Sequence, residues 1–182
     1  MKLLIKLLVA AFGCLSFTSC GLMEGERSYR RLSFSLPNSW DEVESGRGNV
    51  YTATNPPGDG TDMLVIVAVP HRGNPGSMSE ARFRSMADRV ANKIVEHYKS
   101  SMGNFTLLEK RFEMHDGLPH LFIRSSFRAT VNGEPGKEMI LSVCIIASSP
   151  EVYSFALRET KERYDSDPGR FEKMVGKIKI RK

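Results

Sequence analysis

Met63 to Val69 is a run of seven apolar residues, and it constrains the fold more than any other segment. Side chains of a strand alternate between two faces, so a strand that is apolar at every position needs cover on both of them. We therefore expect this strand to lie inside a sheet that carries a packed layer on each side.

Two strands are predicted before this run and up to four after it. Leu32–Leu36 alternates apolar and polar residues and stops at Pro37, and Val50–Thr54 stops at an Asn-Pro-Pro sequence. Glycine-containing turns separate the later segments, which favours consecutive antiparallel pairing. The later predicted strands are Phe105–Met114, Leu121–Val131, Glu138–Ser148 and Val152–Arg158.

Two helices are predicted from changes in periodicity. In Ser77–Met102 apolar residues recur every three or four positions, the first four residues match a capping box, and Gly103 follows as a C-cap residue. A second helix is expected near Asp167-Pro168, with Asp167 as N-cap and Pro168 in the first turn. These elements predict an α/β (α+β) fold, a three-layer α/β/α sandwich on a largely antiparallel sheet.

The first residues predict export. Residues 1–19 begin with Lys2 and Lys6, continue through an apolar run and end in small residues, as a secretory signal peptide does. The apolar run is shorter than the roughly 20 residues that cross a bilayer. The sequence Leu15-Ser16-Phe17-Thr18-Ser19-Cys20 resembles the lipobox of bacterial lipoproteins, which implies cleavage before Cys20 and lipid on its thiol. The alternative is an ordinary signal peptide that releases a soluble protein.

Charge and context indicate the kind of partner. Cleavage removes two lysines and no acidic residue, so the mature chain carries a net charge of +3 instead of +5. Arg27, Arg30 and Arg31 form the only basic cluster, which suits anionic lipid headgroups better than nucleic acid. We predict membrane lipid as a partner through acylated Cys20, a protein partner as well, and no nucleic acid.

The expected location is the bacterial cell envelope, with the protein anchored by lipid. Gly21 follows the cysteine in place of the aspartate that resembles an inner-membrane retention signal. In a host with two membranes the outer membrane is therefore favoured, on its periplasmic side or at the surface.

The order of elements resembles the Mog1/PsbP-like superfamily, which includes DcrB-like bacterial lipoproteins. Phe34–Trp40 is similar to its opening strand, proline and tryptophan, and Tyr153–Leu157, Phe171–Val175 and Ile178–Ile180 are similar to its closing strand and helix. The resemblance implies a binding or assembly role in preference to catalysis, and it implies no catalytic residue. The predicted organisation is a signal peptide at 1–19, a lipidated cysteine and tether at 20–31, and a Mog1/PsbP-like domain at 32–182.

Two loops hold weak candidates for metal binding. Glu113, His115, Asp116 and His120 could converge at a hairpin, but zinc needs three or four converging ligands and the same residues suit a plain turn. The acidic, glycine-rich loop between Asn55 and Asp62 could bind calcium, yet it lacks the EF-hand pattern, so a connecting loop is the preferred interpretation.

No sequence motif of a known enzyme class occurs in the chain, so we predict neither a catalytic residue nor a cofactor. Cys144 lies in an apolar strand and is expected to be a buried, unreactive thiol. Trp40 is expected to pack inside the fold. Two alternatives stay open beside the binding role: a carrier of a small molecule or metal in a cleft between helix and sheet, and a hydrolase with an unrecognised site.

Overall fold

A computed structural model of the chain describes residues 24–43, 50–55, 62–70, 80–101, 104–131, 134–148 and 151–181. Within these ranges it contains ten strands and three helices. The helices are α1 (Glu80–Ser101), α2 (Lys161–Ser166) and α3 (Arg170–Gly176). The strands are β1 (Glu24–Tyr29), β2 (Leu32–Pro37), β3 (Asp41–Val43), β4 (Val50–Asn55), β5 (Asp62–Pro70), β6 (Thr106–His115), β7 (Leu118–Val131), β8 (Glu134–Ala147), β9 (Glu151–Thr160) and β10 (Lys179–Ile180).

Seven of the strands form a large antiparallel sheet in the order β3-β4-β5-β9-β8-β7-β6. The last four strands of this sheet in sequence follow one another as a meander, which confirms the predicted consecutive pairing. β5 joins the first half of the chain to the meander by pairing with β9, where Val65 lies opposite Ala156. β5 is buried from Asp62 to Ala68, so the prediction of an internal, doubly covered strand is confirmed.

Each face of the large sheet carries one core. On the first face α1 packs Phe83, Ala87 and Ile94 against β5, β7 and β8. On the second face lies a small sheet in the order β1-β2-β10, together with α3. The predicted α+β fold with a layer on each side of an antiparallel sheet is therefore confirmed, and the second outer layer is part sheet and part helix.

The boundary of the folded domain differs from the prediction. Residues 24–31, which we assigned to the tether, form β1 and a turn, and β1 pairs with β2 from Glu24 opposite Pro37 to Tyr29 opposite Leu32. Only Tyr29 of this strand packs against the second core. Because β1 is otherwise polar and lies at the edge of its sheet, its sequence has no apolar alternation to reveal it.

The predicted N-cap at Asp167 is wrong. α3 begins after Gly169, which makes no side-chain capping bond, and Asp167 instead follows α2 as its C-cap. The backbone N–H of Arg170 donates to the carbonyl of Asp167 at 3.0 Å, and the Asp167 carboxylate accepts from Lys173 at 2.9 Å. The turn through Pro168 therefore separates two short helices instead of starting one.

Several predictions fall outside the described residues. They are the signal peptide, Cys20, the capping box before Glu80, Gly103 and the interior of the loop between Asn55 and Asp62. Among the described segments, no helix has the length and apolar character needed to cross a bilayer.

Candidate ligand-binding cleft

A cleft of about 770 Å³ opens where the second core meets the turn between β6 and β7. This volume lies within the range of about 300–1,000 Å³ that is typical of small-ligand sites. Three surfaces enclose it: an apolar floor, a wall from the β6–β7 hairpin and a wall from the small sheet. We refer to them as the floor, the hairpin wall and the cationic wall.

The floor is the open edge of the second core. Its side chains come from β7, β8, α3, β10 and the link between α3 and β10, and they are Leu118, Phe122, Ile146, Val175, Ile178 and Ile180. Phe122 meets Phe171 of α3 at 6.5 Å and nearly at right angles, which joins helix and sheet beneath the cleft. The floor is therefore a continuation of the packed core.

The hairpin wall consists of Arg111, Glu113, His115, Asp116 and His120. Odd-numbered residues of β6 share one face because strand side chains alternate. Glu113 lies opposite His120 across the hairpin, and its carboxylate is 2.6 Å from Nε2 of His115 and accepts from Arg111. The hydrogen bond with His115 and the charge of Arg111 lower the pKa of Glu113.

His120 is the buried member of this wall. Its Nδ1 lies 2.9 Å from the carbonyl oxygen of Leu118, and burial lowers the pKa of the imidazole. A neutral ring whose Nδ1–H donates to a carbonyl leaves Nε2 as an acceptor. His115 lies beside it, with 4.9 Å between the two ring centroids.

The weak metal candidates lie close together at the hairpin. Glu113, His115 and His120 are neighbours, and Asp116 occupies the adjoining turn with a positive φ of 51°. Within the described part of the chain, no group of three or more histidine, cysteine or carboxylate residues is placed to hold a metal ion. The hairpin residues pair with one another and with arginine instead.

Two arginines and two glutamates fix the hairpin wall to α3. Arg124, whose side chain is 15% exposed, donates to Glu109 at 2.5 Å and also to Glu172 of α3. Arg111 donates to Glu109 at 2.9 Å and lies 3.6 Å from Glu172. The charge of Arg111 is therefore balanced by carboxylates of the protein itself.

The cationic wall consists of Arg31, Lys179 and Arg181. Arg31 and Arg181 extend the pairing of β2 with β10: the backbone N–H of Arg181 donates to the Arg31 carbonyl at 2.8 Å, and Nε of Arg31 donates to the Arg181 carbonyl at 2.8 Å. Within the residues that the structure describes, the side chains of Lys179 and Arg181 make no ion pair. Sequence reasoning missed this wall, although the alternation of basic and isoleucine residues from 177 to 181 is a signal for it.

The remaining sequence candidates lie away from the cleft opening. Cys144 is fully buried in the second core, where burial raises the pKa of its thiol, so the expected burial is confirmed. Trp40 is also buried, as predicted, and the Arg170 guanidinium lies 5.4 Å from its ring. Asp62, from the possible calcium loop, accepts from Arg163 at 2.6 Å and from Arg170 at 3.0 Å, and both arginines contact its Oδ2.

The architecture defines a class: an α+β protein whose antiparallel sheet carries a long helix on one face and a small sheet with short helices on the other. Within that class the chain has the Mog1/PsbP-like fold, as three solved structures show. No family model matches the chain, and no curated protein sequence matches it.

The solution structure of cyanobacterial PsbP from Synechocystis sp. PCC 6803 matches with a TM-score of 0.62 and 14% identity, over 90% of this chain and 98% of that one. The Ran-binding protein Mog1p of Saccharomyces cerevisiae matches with a TM-score of 0.55 and 7% identity, over 88% and 96%. A protein of unknown function from Pseudomonas aeruginosa matches with a TM-score of 0.53 and 16% identity, over 89% and 99%. Identities this low establish a shared fold and nothing more. None of the three is named as an enzyme.

Proposed function

We propose that this protein is a lipoprotein of the bacterial cell envelope, anchored by lipid on Cys20, whose domain binds a protein partner and catalyses no reaction. The lipobox-like sequence that ends at Cys20 carries the proposal of an anchor. The binding role is supported by the fold, since neighbours with this architecture include a protein named for binding Ran.

The start of β1 supports a close approach to the membrane. Three residues separate Cys20 from Glu24, the first residue of β1. A fully extended chain spans at most about 3.6 Å per residue, so Glu24 lies within roughly 14 Å of the lipidated cysteine. Two or more acyl chains hold a protein at a bilayer almost permanently. The proposed anchor therefore holds the domain against the membrane without a long tether.

The cleft lies at the other end of β1. Arg31 of the cationic wall lies in the turn that follows β1, and the six residues of β1 extend about 20 Å. The proposed anchor and the cleft therefore occupy opposite ends of the small sheet. This separation leaves the cleft accessible to a partner from the aqueous side.

The anchor is tested by fractionating cells that express the full chain, its Cys20→Ser variant and a Cys14→Ser control. Cys14 lies in the segment that cleavage removes, so its loss should change nothing. We expect wild type and the control in the membrane fraction with an acylated Cys20 by mass spectrometry, and Cys20→Ser without acyl chains in the soluble fraction. A bare thiol at residue 20 in the mature wild type would refute the anchor.

The binding role is tested by crosslinking intact cells and purifying the lipoprotein with its neighbours. We expect the same protein to be recovered repeatedly with wild type. Repeated recovery of no specific protein would contradict a protein partner.

The cleft favours a second candidate function, a carrier of a small molecule. Its volume of about 770 Å³ and its apolar floor with a few charged groups match the usual composition of small-ligand sites. A ligand that binds only the folded state raises the melting temperature, so a thermal-shift screen of small molecules tests this function. Failure of every compound class to shift the melting temperature would exclude it.

A further inference from the structure

We infer that the cleft binds a single-chain anionic amphiphile, with its carboxylate at Lys179 and Arg181 and its apolar chain along the floor. The inference names the ligand class of the second candidate function and rests on that function. It does not depend on the proposed anchor at Cys20, so the two can fail separately.

The first argument is an uncompensated charge. Arg31 and Arg181 lie side by side on neighbouring strands, joined by two backbone-directed hydrogen bonds of 2.8 Å. Like charges directly opposite each other in a sheet destabilise it. Lys179 lies two residues before Arg181, and the side chains of Lys179 and Arg181 make no ion pair among the described residues. An anion bound beside Lys179 and Arg181 would offset the repulsion between these two cations.

The second argument is the contrast with the opposite wall. Arg111 of the hairpin wall is already paired with Glu109 and Glu113 and lies close to Glu172. The carboxylates of that wall would repel a second anion. The head of an anionic ligand therefore has one favourable position in the cleft, beside the cationic wall.

The third argument is the floor. Ile178, Lys179, Ile180 and Arg181 all line the cleft. The two isoleucines pack against the second core and the two cations are exposed, so the cleft has apolar and cationic groups close together. Beyond them Val175, Phe122 and other core residues continue the apolar surface inward. Covering such a surface with an acyl chain is favourable because it removes apolar area from water. A simple inorganic anion would leave the floor exposed.

The size and position of the cleft favour one free ligand over a membrane surface. Its volume suits a single small molecule. It also lies at the end of the small sheet opposite Glu24, where the chain approaches Cys20. We therefore commit to a monomeric fatty-acid-like ligand and treat anionic vesicles as the competing outcome.

The test uses the mature chain from residue 20 with Cys20→Ser, so that no attached acyl chain competes. Isothermal titration calorimetry compares dodecanoate below its micelle concentration, dodecyltrimethylammonium and acetate. We expect dodecanoate to bind with one molecule per protein and at least about tenfold more tightly than the cationic amphiphile, because charged hydrogen bonds contribute that much. Acetate lacks the apolar chain and should give no saturable heat. Equal affinity for the two amphiphiles, or no binding of dodecanoate, would overturn the inference.

Variants locate the binding. The pair Lys179→Gln with Arg181→Gln should lose the preference for the anionic amphiphile. The control pair Lys161→Gln with Lys173→Gln also removes two positive charges, from positions outside the cleft lining, and should keep wild-type affinity and preference. Circular dichroism at the titration temperature confirms that each variant is folded. An unchanged preference in the double variant would overturn the inference.

A flotation assay with phosphatidylglycerol vesicles distinguishes binding of a single ligand from docking on an anionic membrane surface. We expect the same unlipidated chain to remain in the soluble fraction. Flotation that depends on Lys179 and Arg181 would overturn the single-ligand inference in favour of a membrane-docking surface. A negative result in these assays would refute the proposed ligand only. The proposed anchor and protein partner are tested separately, by fractionation and crosslinking.

Discussion

The imidazole rings of His115 and His120 meet edge to face, with 4.9 Å between their centroids, at the point where β6 turns into β7. His115 is exposed and contacts Glu113, whereas His120 is buried and contacts the backbone of Leu118. The two histidines therefore have different surroundings although they are neighbours. Burial lowers the pKa of His120, so the folded state prefers its neutral form.

This preference predicts a loss of stability in mild acid. The unfolded state binds a proton on His120 near the ordinary pKa of 6.5, whereas the folded state binds it only at lower pH. The contribution is therefore fully present above about pH 6.5 and is lost as the pH falls towards the lowered folded pKa. We expect urea unfolding from about pH 7 to about pH 5 to show a steeper decline in the free energy of unfolding for wild type than for His120→Gln. Parallel declines in the two proteins would contradict the lowered pKa.

At Glu159 we expect the opposite dependence of stability on pH. Its side chain is 1% exposed, and burial raises its pKa to about 7, although Arg170 at 3.3 Å partly opposes the shift. The stability associated with the protonated carboxyl is present below about pH 4.5 and is lost as the pH rises through about 7.

We therefore expect Glu159→Gln to be more stable than wild type above pH 7, by about 1–3 kcal/mol, and the difference to shrink towards pH 4.5. Glutamine keeps an oxygen acceptor for Arg170 and has nearly the same shape, which limits the change to the charge. Thermal unfolding at a series of pH values measures the difference. A variant less stable than wild type at high pH would show that the ion pair with Arg170 outweighs the cost of burial.

Substitution of Arg124 tests how much the ion pairs between the hairpin wall and α3 stabilise the fold. Its guanidinium connects Glu109 of β6 with Glu172 of α3, and its removal leaves Arg111 as the remaining arginine that both partly buried carboxylates share. We expect Arg124→Met to lower the free energy of unfolding by about 1–3 kcal/mol. The free energy of unfolding of Arg124→Lys should lie between those of wild type and Arg124→Met, because an ammonium keeps the charge without the bidentate geometry.

The matched control is Lys161→Met, which breaks an exposed pair with Asp165 on α2. Water screens the charges of exposed pairs of this kind, so we expect this substitution to change stability little. Equal effects of the two methionine variants in denaturant titrations would show that the Arg124 network has no special role.

The strong periodic segments could be predicted from sequence and the short polar ones could not. β5 and α1 have long, consistent apolar patterns, because each buries a whole face against a core. β1 and β10 are short strands at the edges of the small sheet, and backbone pairing with β2 stabilises them although only Tyr29 and Ile180 of these strands pack against the second core.

The same distinction explains the cleft. Glu113, His115, Asp116 and His120 could be grouped from sequence because a single hairpin brings them together. The cationic wall joins Arg31 to Arg181, which are 150 positions apart, and only the pairing of β10 with β2 makes them neighbours. Contacts at that separation depend on tertiary structure and leave no local pattern.

Cys144 offers a direct test of the second core. It is the only cysteine in the mature chain when Cys20 is replaced by serine, because Cys14 lies in the predicted signal peptide. A thiol reacts as its thiolate, and full burial with a raised pKa suppresses both access and ionisation. We expect a thiol reagent such as iodoacetamide to leave the folded Cys20→Ser chain unlabelled and to label it fully in urea, as mass spectrometry would show. The rate of labelling in dilute urea should follow the unfolded fraction, since the thiol lies beneath the small sheet and α3. Labelling of the native protein at the rate seen in urea would mean that this core opens without global unfolding, contrary to the packing described.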